Sequence, residues 1–313
     1  MNSAFNHRPA EASGEGGPGS VFDAYLAERR ALVEEFLDGS VPSEERPPET
    51  ISRAVRYSLL AGGKRLRPIL VLASAEAVGG LVEDALPAAA AFEMIDTYSL
   101  IHDDLPAMDD DSLRRGKPTS HVVFGDAIAI LAGDALQTHA FRVLAEGESP
   151  VSAKRRLRAV ALLADAAGAS GMVGGQVADL EAEGQPASSD RLEFIHRRKT
   201  GALIHAASEV GAVVGGGSDN HVARLARYGE SLGLAFQIID DILDVTGSAE
   251  TLGKSPGKDE KAGKTTYPQV HGIRKAKERA SELVTGALEE LTPFGDRAEP
   301  LSRLAQRILD RKS

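Results

Sequence analysis

The chain has no cysteine and no tryptophan, and only 4% of its residues are aromatic. The missing thiols exclude disulfides, thiolate nucleophiles, thiol redox switches and zinc sites of the Cys type. Basic charge is in short supply as well: 36 Lys and Arg face 46 Asp and Glu, a formal net charge of −10. A nucleic-acid partner, whose phosphates need a broad basic surface, is therefore not expected. Charge, Gly or Pro cuts the longer apolar stretches before the roughly 20 residues that a membrane span requires. The eight histidines form no metal-ligand pattern. No nucleophile elbow, Walker A loop or dinucleotide fingerprint stands in its required context. The reading is a soluble, cytoplasmic protein.

Strand signals are also lacking. Ala and Leu dominate, β-branched runs are short, and apolar residues recur every three to four positions, so an all-α fold is expected. Loop signals at Gly79-Gly80, Gly147 to Pro150, Gly184 to Ser189, Gly215 to Asn220 and Gly253 to Gly263 divide the body into roughly ten helices. One of them is read from an N-cap at Asp190, with Glu193 in capping-box spacing, through Leu192, Ile195, Leu203, Ala206 and Val210. Residues 1–20, rich in Gly, Ser, Pro and Glu and without a signal-peptide pattern, are expected to be a disordered tail. Residues 21–313 are expected to form one domain.

What the chain has in abundance is clustered aspartate. Asp103-Asp104 and Asp109-Asp110-Asp111 place five carboxylates within nine residues, and Asp240-Asp241 with Asp244 forms a second cluster. Like charges about 4 Å apart repel by roughly 4 kcal/mol at an effective dielectric near 20, so such clusters need cations. Carboxylates without Cys or grouped His favour a hard ion, and Mg²⁺ binds through one or two carboxylates while substrate phosphates complete its shell. A diphosphate substrate follows. Asp240 and Asp244 are one helical turn apart among Ile238, Ile239, Ile242 and Leu243, and Pro106 is expected to bend the end of the first cluster. Ser99-Leu100-Ile101-His102 and Phe236-Gln237-Ile238-Ile239 are both read as helical approaches that could oppose the two clusters across one cavity. His102 is read as packing or hydrogen-bonding rather than ligating.

Cations stand where an anion would need them. Gly62-Gly63-Lys64-Arg65-Leu66-Arg67-Pro68 offers three on a Gly-opened turn, Arg114-Arg115 follows the first cluster, and Lys199-Thr200, Lys254, Lys258 and Lys264 add more.

Taken together, Gly62 to Pro68, Ser99 to Asp109 with Arg114-Arg115-Gly116-Lys117-Pro118-Thr119, Lys199-Thr200-Gly201 and Phe236 to Asp244 resemble the trans-isoprenyl diphosphate synthases, most closely the bacterial farnesyl diphosphate synthases. The resemblance covers about residues 45–310. It implies antiparallel helices around a deep central cavity, a homodimer, and three Mg²⁺ ions. On that match Asp103 and Asp109 ligate two ions and Asp240 the third, with Asp104 and Asp244 in support. Arg114, Lys199, Lys254 and Lys264 would hold an allylic diphosphate, while Lys64, Arg67 and Arg115 would hold isopentenyl diphosphate. Thr200 and Gln237 would line the reacting centre. The implied reaction is head-to-tail condensation of isopentenyl diphosphate with dimethylallyl or geranyl diphosphate, giving farnesyl diphosphate, with geranylgeranyl diphosphate as the alternative product.

Two positions qualify the match. Seven residues before Asp103 the bacterial family commonly carries a His that meets isopentenyl diphosphate, whereas this chain has Asp96. That carboxylate would repel the substrate unless turned toward Lys64 or Arg67. Tyr98, with small Ser99 beside it, falls where the farnesyl synthases place an aromatic floor for the growing chain. A terpene cyclase, which needs aromatic walls around its cations, fits the composition less well. A non-catalytic partner subunit fits the intact acid and cationic motifs less well.

Overall fold

The structure is a computed structural model that describes residues 18–146, 150–246 and 265–311. Its helices are α1 (Pro18–Ser40), α2 (Glu49–Leu59), α3 (Leu66–Ala77), α4 (Val82–Asp103), α5 (Ser120–Phe124), α6 (Asp126–Glu146), α7 (Ala153–Ala167), α8 (Met172–Ala182) and α9 (Ser189–Ile195). A π-helical turn, His196–Gly201, runs directly into α10 (Ala202–Val214), and α11 (Asp219–Thr246) follows. The chain closes with α12 (Tyr267–His271), α13 (Ile273–Leu291), a 3₁₀ turn (Thr292–Ala298) and α14 (Glu299–Leu309). The all-α expectation holds. Of the tail expected over residues 1–20, residues 18–20 already belong to α1, and the rest lie outside the described residues.

Helices α3 and α10 are apolar on nearly every face and form the centre. Ile69 to Ala73 are all 2% exposed or less, as are Leu203, Ile204, Ala207, Val210 and Ala212. A helix without a polar face can lie only inside, so others cover it. Helix α4 packs on α3 and α6, α10 packs on α3, α4 and α11, and α11 packs on α13. Helix α13 shows the complementary pattern: it buries the stripe Ala276, Ala280, Leu283, Val284, Ala287 and Leu291 and turns Arg274, Lys275 and Lys277 outward. The stretch Ala153–Ala182 is long and apolar enough by composition to cross a membrane. It is broken between Ala167 and Met172 into α7 and α8.

Three local readings are corrected. The helix expected to start at Asp190 starts at Ser189, because Ser188 is the N-cap and accepts a bond from the Arg191 amide; Asp190 lies in the first turn. That helix does not run regularly to Val210 but widens into the π turn at His196–Gly201. A short hairpin also interrupts the helices, with Leu113–Arg114 antiparallel to Lys117–Pro118. Its turn residues Arg115 and Gly116 have φ of 54° and 76°, the left-handed pair that a two-residue hairpin demands.

Candidate active site

Helix α4 delivers the first acid cluster at its C-terminus. Pro106 ends the helical bonding, and the chain folds back so that the Asp109 amide donates to the Asp103 carbonyl at 2.9 Å and the Asp111 amide to the Asp104 carbonyl at 3.2 Å. This return brings the two halves of the cluster together. Burial pushes the Asp103 carboxyl up to about 6; Lys199 opposes the rise, and Asp109 and Asp104 add to it. Burial therefore disfavours the ionised form, and the neighbouring acids disfavour it further. Asp104 has a different fate. It is buried and gripped by Arg114, whose Nε lies 2.8 and 2.9 Å from its two oxygens and whose Nη2 lies 2.5 Å from Oδ1. Arg114 thus braces the acid loop, while its neighbour Arg115 reaches the turn at Gly63.

The Gly62-Gly63 turn is where Arg115 arrives. Gly63 has a φ of 142°, and a Cβ there would lie 2.5 Å from the Arg115 guanidinium, so only glycine admits this contact. Lys64 is exposed on the same turn. The three cations read as one phosphate site divide on folding. Arg65, in a left-handed conformation with φ 50°, turns inward, pairs with Glu93 and donates to the Leu59 carbonyl at 2.8 Å. It anchors the turn and is only 2% exposed. Burial raises the Glu93 carboxyl and the charge of Asp96 raises it further, while Arg65 and Arg115 oppose. Arg67 keeps part of its side chain exposed, its Nη1 2.5 Å from Asp96 Oδ1. Asp96 is thus turned toward Arg67, one of the two arrangements the sequence allowed.

The π turn carries Lys199 and Thr200. Lys199 Nζ donates to Asp179 Oδ2 on α8 at 2.8 Å and is felt by Asp103 across the site. Lys199, Thr200 and Asp179 line one cleft with His196, Gln237 and Asp241. In α11 the second cluster splits: the Asp240 side chain is 52% exposed and that of Asp241 5%. Asp240 lies 3.5 Å from Arg311 Nη2, whose guanidinium sits over the Phe236 ring. Ile238, Ile239, Ile242 and Leu243 are buried around the acids, as their sequence context implies. Asp244 is partly exposed one turn beyond Asp240.

Tyr98 is buried against His102 in a T-shaped contact at 5.7 Å, and its hydroxyl has no hydrogen-bond partner. Burial, helped by Asp103, pushes that phenol up to about 12. The Ser99 hydroxyl donates to the Asp96 carbonyl at 2.8 Å. His102 packs on Gly133 and bonds the Ile130 carbonyl at 3.1 Å, the non-ligating role expected of it. Lys254, Lys258 and Lys264 lie outside the described residues.

The sequence reading missed Asp179, Arg311 and the inward role of Arg65. Asp179 had a signal. Gly175, one turn before it on α8, faces the π turn so closely that a Cβ would lie 2.1 Å from the Lys199 amide nitrogen. A Gly-Gly pair inside a helix marks such an approach. Arg311 had none, since only the fold brings the last helix to α11.

Among the described residues no three acids or histidines converge into a ready-made metal cage. Asp103, Asp109 and Asp240 instead offer carboxylates on two separate elements, the end of α4 with its return loop and α11. That donor set fits a hard divalent ion which brings waters and substrate oxygens of its own.

The described residues thus combine a buried all-α core, two aspartate clusters and a cleft lined by Lys199 and Gln237. Residues 48–293 match the polyprenyl synthetase family, and the chain belongs to that family. It is 52% identical over 288 residues to a dimethylallyltranstransferase of Fischerella ambigua, covering 92% of this chain and 83% of that protein. It is 49% identical to a geranylgeranyl diphosphate synthase of Cyanophora paradoxa, covering 92% and 96%. Its fold superposes on the crystal structure of an FPP/GFPP synthase from Zymomonas mobilis with a TM-score of 0.83 at 38% identity, covering 92% and 99%. The chain is a prenyltransferase of the trans-prenyl diphosphate synthase type.

Proposed function

We propose that the protein condenses isopentenyl diphosphate with dimethylallyl or geranyl diphosphate and releases farnesyl diphosphate as its main product. The observation that carries the reading is the place of Lys199: its charge reaches Asp103 of the first cluster, and its side chain lines the cleft that Gln237 of the second approach enters. One diphosphate between the clusters meets both. Asp103, Asp109 and Asp240 would hold Mg²⁺, three ions in all, with Asp244 in support and Asp104 holding Arg114 in place. Bound Mg²⁺ would neutralise charge on the leaving diphosphate. Lys199, with Lys254 and Lys264, would hold the allylic diphosphate, and Lys64, Arg67 and Arg115 the isopentenyl one.

In the reaction the allylic C–O bond breaks and its electron pair leaves with the diphosphate. The isopentenyl double bond attacks the allylic cation, a C–C bond forms, and the new cation loses a proton to the released diphosphate. Lys199 is positioned to stabilise the charge that develops on the leaving oxygen. Tyr98, buried with an unpartnered hydroxyl beside Asp103, supports the floor role and a farnesyl product. The apolar side chains Val122, Val123, Ile130 and Leu131, between 43% and 53% exposed on α5 and α6, support a homodimer. The reading makes the protein a cytoplasmic enzyme.

Incubation of the purified protein with Mg²⁺, isopentenyl diphosphate and each allylic primer, followed by product chromatography, tests this directly. A C15 product is expected; a C20 product would assign the geranylgeranyl alternative, and no elongation would remove the reading. Asp103→Ala and Asp240→Ala are each expected to lower turnover at least a hundredfold with the fold retained. Near-normal turnover in either would remove the metal assignment.

A further inference from the structure

Asp241 sits inside the second acid run, yet the fold turns it away from the open side that Asp240 faces. Both of its oxygens are engaged by protein donors. Oδ1 accepts from the Gln237 side-chain amide at 3.0 Å, and Oδ2 accepts from the Tyr267 backbone N–H at 2.8 Å and lies 3.3 Å from His196 Nε2. We propose that Asp241 is a positioning residue that fixes which end of the Gln237 amide faces the reacting cleft.

The argument runs through donor and acceptor chemistry. An ionised carboxylate can only accept, so Gln237 must turn its NH₂ to Asp241. The carbonyl oxygen is then the end left for the cleft that Gln237 lines with Thr200 and Lys199. An amide oxygen is the negative end of a dipole. When the allylic C–O bond breaks, positive charge develops on the hydrocarbon, and a fixed oxygen facing it stabilises that charge where an NH₂ group would oppose it. Tyr267 locks the arrangement from behind, because a backbone N–H cannot exchange its role as donor. The inference rests on the prenyl-transfer reading.

The lock makes one substitution informative. In Asp241→Asn the new amide must give its oxygen to Tyr267, which leaves its NH₂ to face Gln237. Gln237 then has to invert and present its own NH₂ to the cleft, with no change in side-chain volume. Turnover should fall about a hundredfold, the scale of losing one preorganised electrostatic group. KM for both diphosphates and the Mg²⁺ dissociation constant, measured by calorimetry, should stay within about threefold of the wild type, while Asp240→Asn should weaken Mg²⁺. Gln237→Leu should lose turnover by a similar factor, and the double variant should lose no more than either single one, since Asp241 acts through Gln237.

Unchanged turnover in Asp241→Asn, additive losses in the double variant, or a Mg²⁺ constant that moves as in Asp240→Asn would each overturn the proposal. Gln237→Leu keeps Asp241 and its bond to Tyr267, so it remains decisive should Asp241→Asn not fold: unchanged turnover there also overturns it. Wild-type protein that forms no prenyl product is a separate outcome, which defeats the prenyl-transfer reading itself.

Discussion

Arg67 meets an internal anion before any substrate arrives. Its pairing with Asp96 at 2.5 Å sets a fixed carboxylate against the diphosphate proposed to bind there. Asp96→His removes that competitor, so KM for isopentenyl diphosphate is expected to fall by roughly tenfold, the scale of one charge-assisted hydrogen bond, while KM for the allylic substrate changes little. Steady-state kinetics in both substrates checks it, and an unchanged or higher constant would mean that Asp96 organises Arg67 for binding. Asp103 gives a second residue-scale test. Its folded pKa of about 6 lies above the ordinary 3.8, so the folded state disfavours the ionised form. Below about pH 3 the group is neutral in both states; as pH rises from about 3 to 6 the unfolded chain ionises first and stability falls, by about 3 kcal/mol in full. In metal-free buffer Asp103→Asn should therefore raise the melting temperature at pH 7.5 and hardly at all at pH 3. An equal effect at both values would contradict the assignment.

The π turn between α9 and α10 is the element on which the site depends. Apolar periodicity resumes after it, so the sequence reads as one helix from Asp190 onward, and nothing local reports the wider turn. Packing does. Helix α8 presents Gly175 to the Lys199 backbone and, one turn later, Asp179 to its ammonium group. Gly175→Ala would set a methyl group 2.1 Å from the Lys199 amide nitrogen, and both partners there are backbone. An overpacking cost of about 1–3 kcal/mol is expected, with a melting temperature several degrees lower and turnover reduced more than tenfold as Lys199 shifts. Calorimetry and kinetics on the same preparation check it. Unaltered stability would show that the two elements are not in close contact.

At the scale of the whole molecule, the proposed floor at Tyr98 sets the length of the product. Tyr98→Ala opens apolar space below Asp103 without removing a charge, so product should shift toward C20 and longer chains, read by chromatography. An active variant with an unchanged product distribution would place the floor on other helices. The all-α fold and the membership of each acid and cationic run were legible in the sequence, because helical periodicity and neighbouring charges are properties of consecutive residues. What consecutive residues could not show is which member of a run faces the site. Arg65 and Arg67, Asp240 and Asp241, Asp104 and Asp103 read alike in one dimension, and one of each pair is turned inward. Successive residues on a helix point about 100° apart, so the rotation of α11, the end of α4 and the left-handed turn at Arg65 decide which carboxylate or guanidinium keeps its charge for a ligand and which one holds the framework. The sequence by itself determined the helices and the chemical groups they carry; the tertiary structure decided the division of labour among those groups, because only packing fixes the direction of each side chain.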